Sequence, residues 1–177
     1  MFLAEASACT RCTLATTRQR VVIGSGPHDA RVAVVGEAPG RHEDEGGEPF
    51  IGRSGQLLLR LIEEELSLSR SALYITNVVK CRPPQNKTPT RAQLTACQPW
   101  WEEQFATLTA PLVLAVGATS SSALLGEKIL MGEVHGVARA WRGRTLIPTY
   151  HPAAALRGGP AMVEVLRSDI RAAVSYL

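Results

Sequence analysis

The sequence predicts an α/β protein: a three-layer α/β/α sandwich with a central four-stranded, mainly parallel sheet. Short apolar runs of strand length alternate along the chain with longer stretches in which apolar residues recur at helical spacing. This alternation is typical of parallel strands joined by crossover helices, which cover both faces of the sheet. The 177 residues contain no internal repeat, no low-complexity linker and no shift in composition. We therefore expect a single domain over residues 1–177.

Apolar runs and helical spacing define the predicted elements. The predicted strands are Val32–Val35, Leu73–Val79, Leu112–Val116 and Thr145–Tyr150. The predicted helices cover residues 55–66, 90–108, 119–125 and 162–176. Thr90 is the expected N-cap of the second helix, which Pro99 should kink or divide. Pro148 indicates that the fourth strand lies at an edge or is about to end.

Two shorter segments carry further expectations. Residues 21–23 are apolar and β-branched, and they predict a short strand before a Gly-rich turn. Residues 132–144 are basic and rich in turn-forming residues. We expect a hairpin there, around His135 and Gly136.

Composition and charge narrow the class of protein. Hydrophobic residues make up 45% of the chain and charged residues 20%, as in ordinary soluble globular proteins. The net charge of +3 permits a polyanionic partner without requiring one. No apolar run reaches the roughly 18 residues that span a bilayer, and the N-terminal residues do not resemble a secretory signal. We expect a cytoplasmic monomer that does not bind membranes.

The stretch 31–59 contains the features of a ligand site. Its strand ends in a Gly-Pro turn, residues 36–40, and a polar loop containing Phe50 then leads into a helix. Open α/β sheets bind their ligands in the crevice outside the carboxyl ends of the strands. The carboxylate of Glu37 and the ring of Phe50 are therefore predicted to lie in such a crevice.

Polar residues follow three of the predicted strands. Glu37 follows the first, Asn77 lies near the end of the second, and His151 follows the fourth. Each alone has an ordinary structural explanation, such as a turn cap or a loop histidine. Together they predict one crevice, because the ends of parallel strands meet at the same edge. A flat ring beside an amide, an imidazole and a carboxylate is suited to a planar heterocycle that stacks and is read along its edge.

The residues after His151 include Leu156 and Arg157. An exposed apolar side chain beside an arginine is the combination that base extrusion from DNA requires, as a wedge and a phosphate contact. An ordinary loop explains the same residues equally well.

The chain contains four cysteines, Cys9, Cys12, Cys81 and Cys97. In a cytosolic protein they are more often metal ligands than disulfides. Four thiolates suit either a tetrahedral zinc ion or a four-iron cluster. One Cys-x-x-Cys pair with two separate cysteines differs from a zinc ribbon, which has two close pairs. Four buried thiols without a metal are the less favoured alternative.

Three segments together resemble the uracil-DNA glycosylase superfamily, and most closely its family 4, the iron–sulfur type. They are GEAPGRHEDEGGEPFIGRSGQLL, YITNVVKCRPPQNKTPT and HPAAALR. The resemblance implies the fold of that superfamily and hydrolysis of the N-glycosidic bond of deoxyuridine in single- or double-stranded DNA. It also implies that the four cysteines hold a structural [4Fe–4S] cluster, with zinc as the alternative, which ties the N-terminal segment to the body.

The resemblance further implies residue roles. Glu37 would position the water and stabilise the cationic sugar, and His151 would stabilise the departing uracil anion. The substrate-binding residues implied are Ala38, Glu43 beside the 5-position of the base, Phe50 as the stacking ring, and Asn77 as the reader of the base edge. The DNA-binding residues implied are Arg53, Arg82, Lys87, Arg157 and the wedge Leu156, although Ala155 stands where some relatives carry the larger side chain.

Two alternatives stay open on the sequence. One is a relative that traps uracil-containing DNA covalently through a histidine in a basic loop, but residues 81–89 contain no histidine. The other is a non-catalytic DNA-binding module built around a four-cysteine metal site. It would bind uracil-containing strands and leave them intact.

Overall fold

The computed structural model describes residues 2–177, with the side chains of Phe2 and Leu3 excepted. Its centre is a mostly parallel sheet of five strands in this part of the chain. The strands are β1 Val32–Gly36, β2 Leu73–Asn77, β3 Leu112–Val116, β4 Arg139–Trp141 and β5 Arg144–Thr149. Their order across the sheet is β2-β1-β3-β5-β4, and only β4 runs antiparallel to its neighbour. The predicted α/β fold is confirmed, with one short strand more than the four expected.

Helices cover both faces of this sheet. They are α1 Phe2–Ser7, α2 Arg41–Gly46, α3 Arg53–Leu66, α4 Arg91–Thr107, α5 Ala118–Leu125, α6 Met131–Val134 and α7 Pro152–Arg171. Single turns of 3₁₀ helix lie at Thr13–Thr16, Arg70–Ala72, Pro84–Asn86 and Ala172–Tyr176. None of the described helices is long and apolar enough to cross a membrane.

The alternation of side chains along the strands divides the core into two layers. On one face, Ala33, Val35 and Val113 pack with the aromatic residues of α4. On the other face, Val34 and Leu114 pack with the apolar sides of α3 and α7. Each layer is buried, so the sheet is the middle of a three-layer sandwich, as the sequence predicted.

The predicted N-cap of α4 is confirmed. Thr90 Oγ1 accepts the N–H of Gln93 at 3.3 Å, while Gln93 Oε1 accepts the N–H of Thr90 at 2.8 Å. This reciprocal pair satisfies two donors that the helix start would otherwise leave free. Of the two expected effects of Pro99, a kink or a division of the helix, the division is wrong, because the helix continues past Pro99 to Thr107.

The hairpin prediction was wrong in position. The hairpin joins β4 to β5, and its two turn residues are Arg142 (φ 48°) and Gly143 (φ 75°). Two consecutive positive φ angles match the right-handed twist of a two-residue hairpin. The segment expected to form the turn instead follows the short helix α6.

Other boundaries differ from expectation. Residues 21–23 form no strand; the bridge beside β2 is made by Ser25, which pairs with Ile75. The last helix begins at Pro152, ten residues before the predicted start, and its helical geometry is interrupted at Gly159 (φ 72°). Pro148 lies just before the end of β5, beyond Leu146, the last residue on that side to pair with β4. Its missing N–H is therefore tolerated there.

The basic segment around the hairpin is bound within the protein itself. Arg139 pairs with Glu127 at 2.8 Å and Arg142 with Glu102 at 3.2 Å. The guanidinium of Arg144 donates to main-chain carbonyls before β3, including that of Ala110 at 3.0 Å. Arg139 also places charge on the edge strand β4, which disfavours pairing with another chain.

Candidate active site

Polar residues from three strand ends meet at one cavity of about 330 Å³. The crevice prediction placed Glu37, Asn77 and His151 at this edge of the sheet, and all three line the cavity together with Phe50. The other implied residues that line it are Ala38, Glu43, Lys87 and Arg157. Three implied residues do not line it: Arg53, Arg82 and Leu156.

Two glycines make room for the ring of Phe50. Phe50 is buried, and its main chain is left-handed with φ 56°, which costs a non-glycine residue energy. A Cβ on Gly36 would lie 2.5 Å from the ring and would also collide with Asn77 Oδ1. A Cβ on Gly55 would collide with the main chain of Phe50. The ring of Phe50 and the amide of Asn77 can therefore lie side by side because Gly36 has no side chain.

The amide of Asn77 is positioned for a ligand. Its main chain pairs with Gly36 at the end of β2, and the residue is only 3% exposed. Among the described residues no hydrogen bond is made to its side-chain amide. A buried amide that lines a cavity in this way has one donor group and one acceptor available for a bound molecule.

Glu37 is held through its main chain, whose carbonyl accepts the N–H of Val79 at 2.9 Å. Within residues 2–177 its carboxylate has no ion-pair or hydrogen-bond partner. Glu37 is half-buried at the wall of the cavity. Its negative charge is thus available to whatever occupies the cavity.

His151 begins α7 and is oriented by that helix. Its Nδ1 accepts the main-chain N–H of Ala153 at 3.2 Å. A backbone amide can only donate, so in the neutral ring the proton is on Nε2. Burial, and secondarily the positive charge of Arg157, lower the pKa of His151, whereas Glu43 acts in the opposite direction. The ring is therefore favoured as a neutral imidazole whose Nε2–H is free to donate.

Glu43 joins the two ends of the loop that encloses the cavity. Its carboxylate oxygens accept the N–H of Gly40 at 3.0 Å and that of Gly52 at 2.7 Å. Gly40 precedes α2 and Gly52 precedes α3. Glu43 therefore holds the polar loop closed while it also forms part of the cavity wall.

Cationic side chains surround the mouth of the cavity. Lys87 and Arg157 line it directly, and both are exposed. Arg82 lies one layer farther out, where its Nε donates to Asn86 Oδ1 at 2.7 Å. Arg53 is exposed at the first turn of α3. This rim could contact an anionic backbone that enters from solvent.

The two candidate wedge residues differ in exposure. Leu156 is 38% exposed beside Arg157, whereas Ala155 is fully buried in the core. Only the side chain of Leu156 could therefore reach a ligand outside the protein.

Sequence reasoning missed several cavity residues. Ser54, Pro83 and Asn86 line it but belong to no strand end. Asn86 and its neighbour Gln85 both have left-handed main chains, with φ 54° and 56°. The run of prolines around them was the one available signal, because it predicts an irregular loop without indicating where that loop points.

The four cysteines lie around a second cavity, on the sheet face that carries α4. All four are free thiols. Three of them accept N–H hydrogen bonds: Cys81 from Arg18 at 3.6 Å, Cys97 from the main chain of Lys80 at 3.2 Å, and Cys9 from Trp100 at 3.3 Å. N–H donors at sulfur stabilise thiolates and are the kind of contact that tunes sulfur-ligated metals.

The described side chains include no group of three or more His, Cys, Asp or Glu that could hold a metal ion as they lie. Burial raises the pKa of Cys81 to about 12 and also raises the pKa of Cys97, which disfavours the thiolate form of both side chains. A bound cation inverts this preference, because a coordinating thiol loses its proton. Four free thiols around one space, with N–H donors directed at three of them, fit a sulfur-ligated group.

Fold and cavity together define a class: an α/β/α protein with an aromatic ring, an amide, an imidazole and a carboxylate at the carboxyl edge of a parallel sheet. Comparison with known proteins names the family. Residues 23–171 match the family model of the uracil DNA glycosylase superfamily. The chain belongs to this superfamily, and the predicted resemblance is confirmed.

Within this superfamily, the chain is similar to several type-4 uracil-DNA glycosylases. The type-4 uracil-DNA glycosylase of Thermotoga maritima is 40% identical over 172 residues, which cover 96% of this chain and 89% of that protein. The type-4 uracil-DNA glycosylase of Saccharolobus solfataricus is 39% identical, over 94% of this chain and 81% of its own length. The one from Sulfurisphaera tokodaii is 37% identical, over 94% and 79%.

Proposed function

We propose that this protein removes uracil from DNA by hydrolysing the N-glycosidic bond of deoxyuridine, which leaves an abasic site. The observation that carries the proposal is that Glu37, Phe50, Asn77 and His151 line one cavity. Its volume of about 330 Å³ lies within the range of small-ligand sites. The similar proteins named type-4 uracil-DNA glycosylases support the same reaction.

The base would be recognised by stacking and by its edge. Phe50 offers a ring face to a flipped pyrimidine, and the free amide of Asn77 faces the same space. The carbonyl of Asn77 would accept from N3–H of uracil, and its NH₂ would donate to O4. Cytosine has the reverse pattern at these atoms and would leave buried polar groups unpaired.

His151 would act as a neutral hydrogen-bond donor to the leaving base. Its Nδ1 is already engaged by Ala153, so Nε2–H is the group available to uracil O2. As the glycosidic bond breaks, negative charge develops on the base. A donor fixed in place before the reaction stabilises that charge without reorganisation.

Glu37 would act on the sugar side of the reaction. The deoxyribose becomes electron-deficient as the base departs, and a carboxylate opposite such a centre stabilises it. The unpaired carboxylate of Glu37 has its charge available for this role and can also orient the attacking water. Glu43, whose two oxygens are held by Gly40 and Gly52, would form the wall beside the 5-position of the base.

The rim would bind the DNA strand itself. Extruding a base costs a few kcal/mol, which phosphate contacts and stacking must offset. Lys87 and Arg157 line the cavity, whereas Arg82 and Arg53 lie outside its lining. Leu156 is the exposed apolar residue that could fill the space that the base leaves.

Cys9, Cys12, Cys81 and Cys97 would hold a [4Fe–4S] cluster, with zinc as the alternative. When bound, such a group would tie the N-terminal segment to the residues around β2 and α4, making one domain of residues 1–177. The hydrolysis transfers no electrons. We therefore propose that the metal group has a structural role.

The proposal is tested with an end-labelled oligonucleotide that carries a single uracil, incubated with purified protein and then cleaved with alkali. We expect a break at the uracil and none in matched thymine or cytosine strands. Single-stranded and duplex substrates are run in parallel to determine which is cleaved. The His151→Ala protein, purified identically, controls for contaminating glycosylases. Uracil strands that are bound but stay intact would instead support a DNA-binding module.

A further inference from the structure

Lys80 is a buried lysine that does not belong to the proposed catalytic groups. It is 1% exposed and is the largest of the fully buried side chains in the described part of the chain. A lysine is almost never buried this completely unless it is hydrogen-bonded. None of the ion pairs formed by described residues includes it. Neutral hydrogen-bond acceptors must therefore compensate for the burial of its amino group.

Those partners lie at the end of β2. Lys80 Nζ lies 2.7 Å from Thr76 Oγ1, 2.7 Å from the main-chain oxygen of Asn77 and 2.5 Å from Gln104 Oε1. The side chain thus turns back along its own segment to the residue proposed to read the base. It binds the carbonyl of Asn77 just beyond the last residue pair between β1 and β2, Gly36 with Asn77.

The partners of Nζ are themselves fixed. Thr76 Oγ1 donates to the carbonyl of Ile23 at 2.7 Å, and Gln104 Nε2 donates to the same carbonyl at 2.8 Å. Gln104 is buried on α4. Lys80 Nζ therefore connects the end of β2 to a helix and to the segment before β1.

The main chain of Lys80 is anchored as well. Its N–H donates to Cys97 Sγ at 3.2 Å, and its carbonyl accepts the N–H of Val22 at 2.7 Å. The residue lies on the wall of the cysteine-lined cavity, and through Asn77 it reaches the wall of the other cavity. One side chain spans the region between the two.

We propose that Lys80 is a positioning residue for base recognition: by fixing the carbonyl of Asn77, it sets the direction in which the Asn77 amide enters the cavity. The inference rests on the proposed function, because it assigns Asn77 as the group that meets the base. Lys80 itself does not line that cavity, so it acts through Asn77 and does not touch the ligand.

The test compares Lys80→Met with Gln104→Met. Both variants remove a buried hydrogen-bonding group from the same network, and both are expected to lower the thermal stability. Only Lys80→Met removes the contact with Asn77. The readout is inhibition of the glycosylase reaction by free uracil, measured well below each unfolding temperature. Affinity for DNA that contains an abasic site is the control, because that product lacks the base.

We expect the inhibition constant of free uracil to rise about tenfold or more in Lys80→Met, as for the loss of one buried hydrogen bond. It should change less than about threefold in Gln104→Met, and abasic-site affinity should be retained in both. Equal uracil inhibition in wild type and Lys80→Met would overturn the proposal. So would equal losses in the two variants, which would indicate general loosening of the network.

If Lys80→Met does not fold, Lys80→Gln replaces it. This side chain is one bond shorter and keeps a donor in the network, but it withdraws that donor from the carbonyl of Asn77. It should weaken uracil inhibition measurably, whereas unchanged inhibition would count against the positioning role. Wild-type protein that leaves uracil-containing DNA intact would refute the proposed function. A wild-type enzyme that cuts uracil and variants that bind it normally would refute only the role of Lys80.

Discussion

His151 Nδ1 accepts the main-chain N–H of Ala153 at 3.2 Å, so a single ring nitrogen both caps α7 and determines which nitrogen carries the proton. The helix start would otherwise leave that N–H unsatisfied. The local need for a cap thereby leaves Nε2–H directed away from the helix. Nδ1 of this imidazole therefore caps the helix, while Nε2 is the atom proposed to act in the reaction.

Two substitutions separate these functions. His151→Ala removes both the cap and the donor, and we expect the turnover number to fall about 100- to 1,000-fold. His151→Asn keeps a good N-cap acceptor but lacks a donor at the position of Nε2. It should retain the wild-type melting temperature and lose activity nearly as much. Near-normal turnover of either folded variant would contradict the role of His151.

The stability of the protein should depend on pH through His151. Burial lowers the pKa of this histidine in the folded protein, while the unfolded chain keeps a pKa of about 6.5. Between the two values the unfolded state binds more protons, so the free energy of unfolding falls as the pH falls below about 6.5 and levels off below the folded pKa. Urea unfolding at a series of pH values measures this slope.

The variant His151→Asn is the control for that measurement, because all other titrating groups stay in place. The difference in unfolding free energy between wild type and variant should shift against the wild type as the pH is lowered. A difference that does not change with pH would show that the histidine is not buried as a neutral ring.

Polar residues at strand ends predicted the position of the cavity, but they did not predict all the residues that shape it. Asn77 and His151 could be predicted because polar residues at or near the ends of apolar runs are conspicuous. Lys80 could not, because a lysine that follows an apolar run is the ordinary sign of a chain returning to solvent. Nothing local indicates that its side chain turns back to a carbonyl three residues earlier.

The hairpin shows the same limit for the fold. β4 has only three residues, of which Trp141 alone is buried. Such a strand has no alternation that a sequence pattern can detect. Its turn also depends on a positive φ at Arg142. An arginine seldom adopts this conformation, so its presence in the sequence does not indicate a turn. The strands of the parallel core, by contrast, contain short apolar runs and were predicted to within one or two residues.

Gly36 should be required for space rather than for its backbone conformation. In Gly36→Ala the new methyl group would collide with the ring of Phe50 and with Asn77 Oδ1. Overpacking of this kind costs about 1–3 kcal/mol of stability. Because the two displaced groups are those proposed to hold the base, we expect kcat/KM on uracil-containing DNA to fall at least about tenfold.

Gly132→Ala is the matched control for this change. Gly132 is exposed in α6, and a Cβ there would approach only the hydroxyl of Tyr150, at 4.0 Å. We expect full activity and unchanged or slightly higher stability, since alanine favours helix. A fully active Gly36→Ala protein would contradict the proposed adjacency of ring and amide.

Replacing Cys81 with serine should mainly lower the stability of the protein and should have less effect on the catalytic step. Cys81 lines the cysteine cavity just before Pro83 and Asn86, which line the proposed active-site cavity, and its Sγ accepts from Arg18 of the N-terminal segment. We expect loss of bound metal and a lower unfolding temperature in Cys81→Ser. Iron, sulfide and zinc analysis of the purified wild type decides between the two proposed groups. Thermal unfolding of Val137→Ala, an exposed position that does not line the cysteine cavity, supplies the reference. Full stability of Cys81→Ser without bound metal would refute the structural role.

The salt dependence of DNA binding should distinguish Lys87 and Arg157, which line the cavity, from basic residues elsewhere on the protein. Each phosphate contact contributes close to one unit to the slope of log K against log salt concentration, because binding releases condensed counterions. We expect Lys87→Ala and Arg157→Ala each to reduce that slope by about one and to weaken binding alike for uracil and abasic strands. Arg139→Ala is the control, since Arg139 is paired with Glu127 on the edge-strand hairpin. Fluorescence anisotropy between low and physiological salt measures all three slopes. An Arg139→Ala slope as reduced as that of Arg157→Ala would show that the DNA does not follow the rim of this cavity.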